Sequence, residues 1–234
     1  MSKCKLFLGD CLEAFKKIPD GKVDLVWTDP PYKKVQGGCT NKAVRLSGAT
    51  QEDLSKGKFF KENIIKFEEW IPECYRVLKE GTHCYIMCDD RNLGKILNVG
   101  EATGFRLLNI LTWKKTRHTP NRYYLKNSEF IVMFRKGKAR NINVMGTFQV
   151  LEFANVENKI HPAEKPFDLI DCLVKNSSNE GEIVLDPFMG SGTSLIEAQR
   201  MGRNSIGIEL QPDVAMEAIG RIHSEQKEGI IADT

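Results

Sequence analysis

Between Ile183 and Arg200 the sequence runs IVLDPFMGSGTSLIEAQR. It reads as a strand, a glycine turn and a helix in immediate succession. Ile183, Val184 and Leu185 form a short aliphatic, partly β-branched run of the kind a buried strand carries. Asp186 and Pro187 stop it. Gly190 and Gly192 then permit a tight turn and let a ligand approach the backbone closely, and the chain enters a helix from Ser194 to Arg200. A strand feeding a helix through such a turn is the repeating unit of α/β architecture. A glycine turn by itself remains a weak sign of a ligand site.

A second stretch far upstream gives that turn a partner. Val23–Thr28 (VDLVWT) is another buried-strand run, and it ends in Asp29-Pro30-Pro31-Tyr32. Neither proline can donate a ladder hydrogen bond, so the strand stops there with unpaired carbonyls. An acceptor carboxylate before the prolines and an aromatic face after them make a flat slot. It suits a planar ring with an exocyclic amine, whose N–H groups Asp29 and a proline carbonyl accept while Tyr32 stacks. The plainer reading is an ordinary strand exit with a Pro-Pro stop.

Together, DPPY followed by DPFMGSGT closely resembles the S-adenosylmethionine-dependent amino-methyltransferases that modify DNA bases, in the motif order of their β group. The resemblance covers nearly the whole chain. It implies a Rossmann-like α/β fold with a mostly parallel seven-stranded sheet, one antiparallel strand and helices on both faces. It implies methyl transfer to adenine N6, with Asp29, Pro30, Pro31 and Tyr32 as the catalytic set. Asp10, Cys11, Asp29, Lys165, Asp186, Phe188, Gly190, Ser191, Gly192, Thr193 and Glu209 are the expected S-adenosylmethionine contacts. Lys165 comes from His161-Pro162-Ala163-Glu164-Lys165-Pro166, which resembles the family's His-Pro-Thr-Gln-Lys-Pro motif but departs from it at Ala163 and Glu164. Glu209 also stands on its own spacing. It ends the strand after the turn, about 17 residues beyond Gly192, where a carboxylate accepts ribose hydroxyls. Asp10 either caps the helix that follows it or borders the cofactor's adenine, and the two roles are compatible.

With 234 residues, the chain has room for one well-buried catalytic domain spanning 1–234 and little else. Seven cysteines without a CxxC pair or a His/Cys cluster argue for a reducing cytosol and against structural zinc. The N-terminus lacks a signal-peptide core, and no apolar run reaches membrane-spanning length. Overall charge is nearly balanced, with 34 Lys plus Arg against 31 Asp plus Glu. Its distribution is not. Between Lys114 and Arg140 nine basic residues face one acid, Glu129. There Arg117, His118, Asn121, Arg122, Tyr123 and Tyr124 interleave cations, amides and aromatics, which suits phosphate contact and base stacking. Lys33, Arg117, Arg122, Tyr123 and Lys126 are the expected nucleic-acid contacts, and a short target-recognition region is expected at about 114–160. A charge run is otherwise a solvated face.

The remaining elements follow from periodicity. Strands are expected at Cys4–Leu8, Thr82–Cys88, Arg106–Trp113, Glu129–Arg135 and Asn204–Ile208. Helices are expected at Cys11–Ile18, Phe59–Lys79, from Asp89-Asp90 to Ala102, Phe167–Ser177 and Pro212–Ile222. Phe67 and Trp70 read as core. Lys33–Lys58 reads as a lid or a surface loop, Asn141–Lys159 as irregular, and Ser224–Thr234 as a disordered tail. Partners implied are DNA with a flipped or unpaired base, with a homodimer and a restriction endonuclease also compatible. Methylation of cytosine N4 or RNA, a catalytically silent DNA-binding subunit, and a small-molecule nucleotide binder are the rival readings.

Overall fold

The computed structural model describes residues 2–31, 65–119, 123–138, 140–155 and 165–232. In chain order the elements are β1 (Cys4–Leu8), α1 (Cys11–Phe15), β2 (Val23–Thr28), α2 (Phe67–Val77), β3 (Leu78–Cys88), α3 (Leu93–Thr103), β4 (Arg106–Thr119), β5 (Lys126–Arg135), β6 (Val150–Glu152), α4 (Phe167–Ser177), β7 (Ile183–Asp186), α5 (Thr193–Arg200), β8 (Asn204–Glu209) and α6 (Pro212–Ala232). The strands form one eight-stranded sheet in the order β1–β8–β7–β2–β3–β5–β4–β6. All neighbours run parallel except β5, which is antiparallel to both β3 and β4. The seven expected strands are therefore joined by an eighth. β6 lies on the edge beside β4, within a stretch whose sequence shows no alternation.

Every residue of β2 is buried, as a central parallel strand covered on both faces requires. Alternate residues divide between two helical layers. Leu25, Trp27, Tyr85, Met87 and Met133 pack with Leu169, Ile170, Leu173 and Val174 of α4. On the opposite face Phe134 stacks on Phe105 and lies directly against Gly100 of α3, where a methyl group has no room. At the start of β2 the buried Asp24 carboxylate binds Lys79 Nζ at 2.6 Å and accepts the Ile183 N–H at 2.9 Å. That contact fastens β2 to β7 and to the start of β3.

Several boundaries differ from the periodicity. α1 closes at Phe15 in a run of tight turns. α2 is described from Phe67 onward and tolerates Pro72 inside it. β3 begins at Leu78, where helix passes directly into strand. α6 runs on to Ala232 rather than ending near Ile222; Arg200 of α5 holds Glu225 in a salt bridge at 2.6 Å. The Lys33–Lys58 excursion lies outside the described residues.

Candidate active site

Parallel strands deliver their carboxyl ends to one edge of the sheet. Gly9-Asp10 after β1, Glu209 of β8, the Asp186 turn after β7 and Asp29 after β2 therefore line that edge in sequence. β7 and β2 are neighbours, yet the chain leaves β7 for β8 and leaves β2 in the direction of β3. Where adjacent strands lead apart in this way, a crevice opens at their carboxyl ends.

Asp186 knits the crevice together. Its carboxylate accepts Thr28 Oγ1 at 3.1 Å, the Phe188 N–H at 3.1 Å and Ser194 Oγ at 2.5 Å. One side chain thus joins the last residue of β2, the turn and the first turn of α5. Burial pushes its carboxyl up to about 7 against these donors. Gly190 takes φ +52°, and a side chain there would meet open space. Its N–H is held by Glu209 Oε2 at 3.1 Å, while Glu209 Oε1 accepts the Gln211 N–H at 2.9 Å. Gly192 differs in kind. A methyl group there would press on Ala218 of α6 at 3.1 Å, so this glycine serves packing as well as its φ of +80°. Phe188 meets Trp70 edge-on at 5.2 Å between ring centres.

Asp29 is met by Lys165, whose Nζ lies 2.8 Å from Asp29 Oδ2 and 3.3 Å from Glu129 Oε2. Glu129 Oε1 is in turn 2.9 Å from Lys115 Nζ. Burial disfavours the charge on Lys165, but Asp29 and Glu129 outweigh it and raise its pKa. Burial likewise pushes Glu129 up, and the two ammoniums more than reverse this. The row alternates in sign and is largely buried throughout.

A family profile described as DNA methylase matches residues 23–219. The chain belongs to the DNA methylase family. It is 29% identical to the type II methyltransferase M2.DpnII of Streptococcus pneumoniae, over 97% of this chain and 92% of that protein. Identity to M2.MboI of Moraxella bovis is 28%, over 87% and 82% of the two chains. Among solved structures, the M1.HpyAVI complex with SAM is 25% identical with a TM-score of 0.70, covering 93% of this chain and 99% of that one. The cytosine-N4-specific PvuII DNA methyltransferase superposes at a TM-score of 0.73 over 96% and 92% of the two chains, with 17% identity, and shares the fold.

In this DNA methylase the expected site residues are held by the fold in different ways. Asp10 caps α1, its Oδ1 accepting the Leu12 N–H at 2.7 Å. The Cys11 thiol is buried and pushed up to about 12 by that burial. Ser191 and Thr193 are buried, their hydroxyls 3.4 Å apart, and Arg221 donates to the Ser191 carbonyl at 2.9 Å. Arg221 also donates to the Thr193 hydroxyl at 3.4 Å, which ties the turn to α6. Asp186 is likewise engaged with internal donors. Lys165, expected at the cofactor, is directed at Asp29. Pro30 is buried and Pro31 half-buried; Tyr32, Lys33, Arg122, His161 and Glu164 lie outside the described residues.

The basic stretch also divides. Lys136 donates to the Tyr75 and Leu78 carbonyls at the end of α2, and Arg140 grips Glu182 with both guanidinium nitrogens at 2.7 Å. These cations serve the fold. β4 runs parallel to β3, so its far end with Arg117 and His118 leaves the sheet at the edge that carries Asp29. Beside it Tyr123 and Tyr124 are 76% and 90% exposed, and Lys126 makes an exposed pair with Asp90 at 2.7 Å. Glu129 and Lys115 are the residues that motif reading misses. The sequence offers one signal for Glu129, its position as the single acid in that basic run.

Proposed function

We propose that this DNA methylase transfers a methyl group from S-adenosylmethionine to N6 of adenine, on a base taken out of the DNA stack. The observation that carries this reading is the junction of β2 and β7. Asp186 accepts from Thr28 there, and the catalytic carboxylate Asp29 follows Thr28 directly. The residues fit such a cofactor. Each Glu209 oxygen takes one backbone N–H and retains a second acceptor site for a ribose hydroxyl. Gly190 leaves the backbone open to close approach. Phe188, braced by Trp70, supplies an apolar wall, and Asp10 stands at the neighbouring strand end.

Bound there, S-adenosylmethionine supplies an already activated sulfonium methyl. The chain's task is alignment. An adenine amine is a weak nucleophile because its lone pair is delocalised into the ring. Accepting its N–H at Asp29, and at the Pro30 carbonyl, favours a pyramidal nitrogen with its lone pair aimed across the crevice. The nitrogen gains the methyl as the methyl–sulfur bond breaks, and it must then shed one proton. Asp29 stands at that N–H to take it or pass it to water. Lys165 is already an ammonium and accepts none. Tyr32 replaces the stacking lost on flipping, a contribution of about 1–3 kcal/mol.

The substrate is DNA, held along the arm at the end of β4. A single catalytic unit, a homodimer and a restriction endonuclease partner belong to the same proposal, in keeping with the type II naming of M2.DpnII and M2.MboI. Cytosine N4 is the second reading, because PvuII methyltransferase shares the fold and is cytosine-N4-specific. The Asp-type motif favours adenine. Digestion of methylated DNA to nucleosides should yield 6-methyladenine, and Asp29→Ala should abolish transfer while cofactor binding persists. A 4-methylcytosine product, or full activity in Asp29→Ala, would overturn the assignment.

A further inference from the structure

The row Asp29–Lys165–Glu129–Lys115 spans four separate segments: the end of β2, the residues before α4, β5 and β4. Its links are 2.8, 3.3 and 2.9 Å. The side chains are 23%, 15%, 26% and 13% exposed along the row. Four charged groups set this deep are costly unless paired, and here each is paired with its neighbour. The arrangement does more than neutralise. An ammonium has three donors, and Lys165 divides them between two carboxylates. Glu129 therefore draws part of the cation away from Asp29. A lysine alone beside Asp29 would be free to swing, or would collapse onto it and compete with the substrate amine. A carboxylate has about four acceptor positions, so an ammonium on Oδ2 and an exocyclic amine can share the group.

We propose that Lys165 and Glu129, steadied by Lys115, are positioning residues that hold Asp29 ionised and oriented for the incoming amine. This rests on the reading of Asp29 as the catalytic acceptor. The row also reaches the DNA-facing arm, since Lys115 lies two residues before Arg117. Among the described residues, Asp186 of β7 and Cys88 of β3 are also coupled to Asp29. Lys165 brings its positive charge to 2.8 Å from the carboxylate.

The test compares Lys165→Met, Lys165→Arg, Glu129→Gln and the Lys165→Met/Glu129→Gln double variant in the full chain. Single-turnover rates would be measured across pH, with S-adenosylmethionine affinity by calorimetry. Lys165→Met should lower the rate about 10- to 100-fold, the range seen when a partner orienting a functional ligand is removed. Its cofactor affinity should stay within about threefold of wild type, and its acid limb should move to higher pH because the charge favouring ionised Asp29 is gone. Lys165→Arg keeps a cation and should keep the acid limb, which separates charge from folding. Glu129→Gln should lower the rate less and add nothing in the double variant, since it acts through Lys165. An unmoved acid limb with multiplicative losses would refute the row. A fall in cofactor affinity matching the loss of rate would return Lys165 to the cofactor. Failure of the underlying reading is distinguishable, because Asp29→Ala would then remain active.

Discussion

Glu209 is expected to set the affinity for the cofactor twice over, and substitution by glutamine separates the two contributions. The carboxylate holds the Gly190 and Gln211 N–H groups at 3.1 and 2.9 Å, one on each oxygen. Hydrogen bonds to a charged group contribute about 1.5–3 kcal/mol each. Glutamine has one carbonyl oxygen, so its amide must face one of these N–H groups donor to donor. One bond is lost whichever way the amide turns. Glu209 is half-buried, water relieves part of the loss, and the lower figure of about 1.5 kcal/mol is appropriate for ordering the turn. The same change removes a carboxylate acceptor for a ribose hydroxyl, with a similar magnitude. Together they amount to about 3 kcal/mol, or roughly a hundredfold in Kd. Calorimetry with S-adenosylmethionine on the full chain measures this directly. Gly190→Val serves as the companion, since at φ +52° with open space around it the penalty is backbone strain rather than collision. Affinity within twofold of wild type in Glu209→Gln would refute the argument.

Two further outcomes probe the surface and the buried carboxyl. Arg117→Ala and Arg122→Ala should weaken DNA binding and reduce its salt slope by about 1 for each phosphate interaction removed, with cofactor affinity unchanged; Lys126→Ala should do less, because Lys126 also serves Asp90, and an unmoved salt slope would make the arm a solvated face. Asp186 holds its proton to about 7 in the folded chain against an ordinary 3.8, so its contribution to stability is full below the lower value and is lost as pH rises through the upper one. Denaturant midpoints at about pH 5 and pH 8 should therefore show the wild-type-minus-Asp186→Asn stability difference falling with pH, and a constant difference would count against a buried neutral carboxyl.

The glycine turn, the two strands flanking it in space and the acid ending β8 were legible because each rests on local chemistry. A strand ends at Pro-Pro whatever surrounds it, and a glycine admits the positive φ that a tight turn uses. Roles fixed by distant partners were not legible. Nothing in the sequence around Ser191 and Thr193 shows that Arg221 of α6 donates to both. Lys165 reads as a carboxylate binder, and the sequence does not show that Asp29 and Glu129 meet it. Lys136 and Arg140 count as surface charge until the end of α2 and Glu182 claim them. β6 escaped because three residues are too few for alternation, and it exists only through pairing with β4.

The pairing of β2 with β7 has a consequence for how the protein comes into being. Thr28 and Asp186 share a hydrogen bond across 158 residues of chain, and Asp24 reaches just as far to the Ile183 amide. During synthesis β2 emerges early and then has no neighbour on that side until residue 186 has followed. An apolar strand with an open edge is a template for wrong pairings, and such long-range closure slows folding. The catalytic crevice is thus among the last features to form. Chaperone dependence and loss of yield on slowed translation should track this one late pairing.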